Sequence, residues 1–168
     1  MSPTTGAATV SRVFVDTNVL VYLRDTRTPE KQARCAEWMS FLWESRAGRL
    51  STQILQEYYV TVTGKLDPGM PVEEARDDVM ALASWSPRAI DLDLVESAWE
   101  AQDRWGFSFW DSLIVAAARA LVCTILLTED LSHGQDLDGL RIVSPFVELP
   151  PGRGTPTGTR SHLGSGPR

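Results

Sequence analysis

Four carboxylates break otherwise apolar stretches: Asp16 in FVDTNVLVYL, Glu57 in STQILQEYYV, Asp111 in FSFWDSLIVAAA and Asp130 in LLTEDL. No histidine or cysteine stands inside these motifs. Carboxylates alone suit hard cations such as Mg2+ or Mn2+, which prefer oxygen ligands and keep part of their water shell. A cation held this way polarises a phosphoryl oxygen, lowers the pKa of a bound water and stabilises a leaving oxygen. One or two such ions would suit the hydrolysis of a phosphodiester.

Each acid also has an ordinary structural explanation. Asp16 can N-cap the helix that follows it. Asp111 lies three residues after Ser108, the spacing of a variant capping box. Glu57 fits a solvated helix face, and Asp130 fits an Asx turn. The joint pattern decides between the two readings. Two carboxylates about 4 Å apart repel by roughly 4 kcal/mol at an effective dielectric of about 20, more than a cap returns. A bound cation removes that repulsion.

The elements that must carry these acids alternate. RVFVDT (12–17) is a β-branched strand that runs through a polar break into the helix NVLVYLRD. Pro29 opens a helix whose Cys35, Met39, Leu42 and Trp43 share one side, with Gly48 as its stop. RLST (49–52) is a short strand, and TQILQEYYVTVTGKL a helix with Ile54, Leu55, Tyr58 and Val62 inward. After the turn DPGMP comes an acidic helix with Val72, Ala75, Val79 and Leu82 facing a core. RAIDLD (88–93) reads as a strand, LVESAWEAQDRWG as a helix closed by Gly106, and FSFWDSLIVAAARALV as an apolar helix. CTILLT (123–128) is a buried strand and RIVSPF (141–146) the last one. Such alternation predicts a mostly parallel sheet wrapped by helices, a three-layer α/β/α fold. Asp16 and Asp130 then stand at carboxyl ends of strands, where open sheets bind ligands.

Composition agrees with a single domain: 168 residues, 43% hydrophobic and 23% charged. We expect a flexible N-terminus over 1–11, the domain over 12–149, and a disordered tail over 150–168, rich in Gly, Pro, Ser and Thr. There is no membrane span and no signal peptide pattern, so a cytoplasmic protein is expected. Cys35 and Cys123 are far apart and are expected to be buried and unpaired. The net charge is -6, and the three tail arginines leave about -9 on residues 1–150. That excludes a protein gripping nucleic acid through a broad basic face, but not one whose cations are metal ions.

FVDTNVLVYL, STQILQEYY, SFWDSLIVAAA and LLTEDL together resemble the PIN domain, specifically the VapC-type toxin ribonucleases, over nearly all of residues 12–147. One subgroup often has Asn before a final Pro-Phe, where this chain has Ser144. The resemblance implies a hydrolase: an Mg2+- or Mn2+-dependent endoribonuclease. It further implies a homodimer, inhibited by a small antitoxin whose C-terminal segment lies across the active site. Carried over by motif, Asp16 and Asp111 are the direct metal ligands, and Glu57 and Asp130 bind directly or through water. Asn18 matches a polar position that orients Asp16 or a water, and Thr128 a supporting hydroxyl.

Other residues carry less. His133 is the one histidine before the tail and reads as structural or RNA-contacting, since a metal-bound water replaces a general base. Glu129 should point away from Asp130's side of the strand, and Asp136 and Asp138 read as loop acids. Most of the six tryptophans read as core or dimer residues. Arg24, Arg27 and Arg34 follow the first motif, where they would meet phosphate or an acidic antitoxin. An aspartate-nucleophile phosphatase needs a second Asp at the position of Asn18, and a receiver domain needs a lysine after a late strand, whereas Lys31 and Lys65 are the only lysines. Two further readings stay open. One is a PIN-fold nuclease of RNA maturation, the other an inactive PIN-fold binding partner.

Overall fold

The computed structural model describes residues 10–154; the expected N-terminal arm and tail lie largely outside that range. Val13–Val15 forms β1 and Ile125–Leu127 forms β3, side by side and parallel with Val13 opposite Ile125. Gly48–Arg49 is β2 and pairs with β1 on its other edge, again parallel. Leu140–Val143 is β5, parallel to β3, and Asp136–Leu137 is β4, antiparallel to β5 at the sheet's edge. The order is β2-β1-β3-β5-β4, a mostly parallel sheet as the alternation predicts. Phe14, Val15, Leu126, Leu127, Ile142 and Val143 are fully buried, as expected of strands covered on both faces.

Among the described residues, six helices supply the outer layers of this α/β/α fold: α1 (Thr17–Tyr22), α2 (Pro29–Ser45), α3 (Thr52–Gly64), α4 (Val72–Ala83), α5 (Leu92–Trp105) and α6 (Phe109–Ala120). α6 is buried without interruption from Ser112 to Ala118, and its small alanines let it pack closely against α5. α2 buries Cys35, Trp38, Met39 and Leu42, and the Trp38 indole N–H donates to the Glu148 carbonyl at 2.9 Å. Burying each large aliphatic side chain is worth about 1.5–3 kcal/mol. Both cysteines are buried and free, and burial pushes each thiol up to about 12.

Several local readings are corrected. Gly48 does not stop α2; Arg46 takes the left-handed conformation there (φ 57), and Gly48 enters β2. A Cβ on Gly48 would lie 2.3 Å from the Trp85 ring, so glycine is required by close packing. Trp43 lies outside the apolar side of α2, 42% exposed, although its ring packs on Trp85 at 4.7 Å between centroids. RAIDLD is not a strand: Arg88 makes one bridge with Ser51, then Asp91 turns to cap α5 by accepting from the Leu94 N–H at 3.0 Å. Residues 49–52 pair only at Arg49 and through that bridge, because Thr52 already opens α3. Asp136 belongs to β4, and Asp138-Gly139 is the turn of a hairpin, both with positive φ (55 and 94), as a two-residue primed turn demands.

Candidate functional site

From β1 the chain continues to β2 on one side, and from β3 to β4 and β5 on the other, so the carboxyl ends of β1 and β3 are where a sheet of this order offers a crevice. Asp16 and Thr128 follow directly on those two strands. Asp16 stays in the ladder, its N–H donating to the Leu127 carbonyl at 3.0 Å, and Thr128 donates its N–H to Val143 at 2.9 Å. The backbone therefore fixes both residues before their side chains act.

Thr128 is wholly buried and uses its hydroxyl three ways. It donates to Asp16 Oδ2 at 2.7 Å and accepts from the Asp130 N–H and from Asn18 Nδ2, each at 3.1 Å. Asn18 Nδ2 also donates to Asp130 Oδ2 at 2.9 Å and reaches Asp16 Oδ2 at 3.4 Å. Asp16 caps α1 as well, its Oδ1 accepting from the Thr17 N–H at 2.7 Å. On the far side, Thr17 Oγ1 donates to Glu57 Oε2 at 2.7 Å, and Gln53 Nε2 donates to Glu57 Oε1 at 2.9 Å and to the Trp110 carbonyl at 3.4 Å. One connected polar chain thus runs from Asp130 through Asp16 and Glu57 to the residue before Asp111.

Asp111 itself is held locally. Its N–H donates to Ser108 Oγ at 3.2 Å and its Oδ2 accepts from that hydroxyl at 3.0 Å, the capping arrangement at the start of α6. The structure brings Asp16, Asn18, Thr128, Asp130 and Glu57 into one network and sets Asp111 beside its end, without a direct bond to it. Among the described residues no three His, Cys, Asp or Glu side chains close into a group that could hold a metal ion. Like charges explain the spacing, since each carboxylate rests on a neutral donor instead of facing another.

Asp16 bears the strongest electrostatic stress. It is 5% exposed, and its pKa is raised from 3.8 to about 7, first by burial and then by the charges of Asp130 and Glu57. The bonds from Thr128 and Thr17 act in the opposite direction without cancelling the burial.

Thr17 and Gln53 join the network but are not among the candidates drawn from sequence. Thr17 lies inside the first motif, and Gln53, 4% exposed, precedes Glu57 by one helical turn. A glutamine buried in an amphipathic helix was the available signal. His133 is exposed, and its Nδ1 accepts the Ser144 N–H at 3.1 Å. Glu129 faces away from Asp16, bound by Lys31 at 2.9 Å and by the Tyr22 hydroxyl. Arg24 and Arg27 are taken by Asp78 and Asp25.

Two shallow grooves flank the network. One of about 370 Å3 lies beside Asn18 and Asp130 and is lined by Tyr22, Arg27, Thr61 and Lys65. The other, about 400 Å3, lies beside Glu57 and is lined by Gln56, Val60, Lys65 and Trp110.

Compared with known protein families, residues 13–135 match the PIN domain. The chain belongs to the PIN domain family. Solved structures share this PIN fold. A toxin-antitoxin complex from Klebsiella pneumoniae aligns at TM-score 0.55 and 22% identity, over 80% of this chain and 98% of that one. FitAB bound to an IR36 DNA fragment aligns at 0.59 and 17%, over 80% and 95%. VapBC2 from Rickettsia felis, bound to a DNA fragment from its promoter, aligns at 0.52 and 14%, over 79% and 97%. No curated relative matches. No helix of this PIN domain, among the described residues, is long and apolar enough to cross a membrane.

The PIN site fits a hard divalent cation by the chemistry of its donors. Its ligand-capable atoms are carboxylate and amide oxygens, and the acceptors Asn18 Oδ1 and Gln53 Oε1 are buried without a protein donor.

Proposed function

We propose that this PIN domain is a metal-dependent endoribonuclease and the toxin of a toxin–antitoxin pair, partnered by a small antitoxin and assembling as a homodimer. The buried Asp16, held on Thr128 and wedged between the charges of Asp130 and Glu57, carries the reading. Burial of a carboxyl group in a site of like charge is unfavourable unless a cation is meant to share it. The similar fold of a protein named as a toxin–antitoxin complex supports the biological role.

Asp16, Glu57, Asp130 and Asp111 would hold Mg2+ or Mn2+, which supplies an activated water and neutralises charge building on the phosphate. The protein's own part is positioning. Thr128 fixes the rotamer of Asp16, Asn18 bridges Asp130 to it, and Thr17 with Gln53 clamps both oxygens of Glu57. Such supporting bonds orient ligands before any ion arrives. Ser108 holds Asp111 at the start of α6, next in the chain to Trp110, whose carbonyl the network reaches through Gln53.

The decisive experiment incubates purified, partner-free protein with structured RNAs in Mg2+, in Mn2+ and in EDTA, beside Asp16→Asn. The expected result is cleavage that needs both the ion and Asp16. No cleavage of any RNA, with no ion binding by calorimetry, would remove the nuclease reading and favour a binding partner.

A further inference from the structure

Trp110 is 62% exposed, an unusual place for the largest apolar side chain. Its backbone is anchored, because its carbonyl accepts from the same Gln53 amide that holds Glu57. Its ring packs edge-on against Phe109, with centroids 5.3 Å apart at 67°. The indole thus stands on an anchored backbone and shares a groove with Glu57. Along α3, residues 53, 56, 57, 60 and 61 recur at helical spacing and line the groove with it, including Val60, which is 53% exposed.

Lys65 lines that groove and also the groove beside Asp130. The other lysine, Lys31, is engaged by Glu129 at 2.9 Å, whereas Lys65 makes no ion pair among the described residues. An aromatic ring, an aliphatic side chain and an ammonium group then line a shallow groove of about 400 Å3, within the range of small-ligand clefts.

We propose that Trp110, Val60 and Lys65 form a subsite for one unpaired nucleotide next to the acidic network, the base stacking on Trp110 and a flanking phosphate meeting Lys65. This deepens the nuclease reading and rests on it. A paired base cannot offer its face to an indole, so the subsite selects single-stranded segments of RNA. A net charge of -6 leaves little other attraction for phosphate, which makes the unpaired ammonium of Lys65 count.

Binding is measured in EDTA, so that cleavage does not enter, by fluorescence anisotropy of the full chain with a short labelled single-stranded RNA. Controls are the same RNA annealed to its complement and a version carrying one abasic residue. Trp110→Ala should weaken single-strand binding about tenfold, with Trp110→Phe recovering most of it. The abasic RNA should bind the native protein more weakly in at least one placement and lose nothing further against Trp110→Ala. Lys65→Ala should weaken binding to all RNAs and lower the salt slope by about 1. The subsite is overturned if the native protein binds no single-stranded RNA, or if Trp110→Ala binds it unchanged. It is equally overturned if duplex binding falls as much, or if sedimentation shows that the loss follows dissociation of a dimer whose second copy covers Trp110. Metal-dependent cleavage that requires Asp16 would survive every one of these outcomes, so the two readings fail separately.

Discussion

Asp16 and Asp111 are the same residue type, each at the start of a helix, in opposite circumstances. Asp16 follows a fully buried strand, and its carboxyl sits against Thr128 in the interior. Asp111 stands at the half-buried mouth of α6, satisfied by a serine three residues away. Burial therefore loads Asp16 with a desolvation cost that raises its pKa to about 7, while the capping partner of Asp111 is local and replaceable. A local cap accounts for where Asp111 stands, whereas capping α1 does not account for the burial of the carboxyl group at position 16.

Replacing the buried member tests the difference most severely. Asp16→Asn should abolish metal-dependent RNA cleavage yet raise the melting temperature of the metal-free protein, because the buried charge and its repulsion by Asp130 and Glu57 vanish. An unfolded variant, or one that still cuts, would break the assignment. Asp111→Asn is the sharper discriminator. If the carboxylate leaves its cap to join the ion, cleavage is lost while stability changes little, since Ser108 still caps α6. Retained activity would reduce Asp111 to a helix cap.

Thr128→Val removes the hydroxyl that holds Asp16 and should lower cleavage about 10–100-fold, the usual range for a partner that orients a metal ligand. Saturating metal should restore part of the rate. The pH dependence of metal-free stability follows from Asp16 as well. Its folded pKa, about 7, lies above the 3.8 of the unfolded chain, so the folded state binds the extra proton between them. Stability is fully present below 3.8 and is lost as the pH rises through about 7, by on the order of 2–4 kcal/mol. Melts across that window in EDTA should slope downward in the native protein and flatten in Asp16→Asn. The smallest effect is expected at Ser108→Ala, about 0.5–2 kcal/mol of stability through the lost cap.

The central strands and long helices were legible because their apolar residues keep one period, and FVDTN already marked a polar break at the end of β1. The short elements were not. β2 and β4 hold two residues each, too few to show alternation, and what makes them strands is an edge already formed by β1 and β5. Asp138-Gly139 carried a hairpin signal that two loop acids masked. RAIDLD has strand-like composition, but Asp91 competes for the backbone and starts α5.

Sequence alone determined which side chains are available: four acids, no accompanying histidine, and motifs similar to one family. Tertiary structure alone decided how they relate. It made Thr128 the hub, enlisted Thr17 and Gln53, turned Glu129 away toward Lys31, and left Asp111 on its cap. The physical reason is distance along the chain. A motif fixes chemistry within a few residues, whereas the burial that raises the pKa of Asp16 and the bond from residue 128 to residue 16 arise only when β1 and β3 pair.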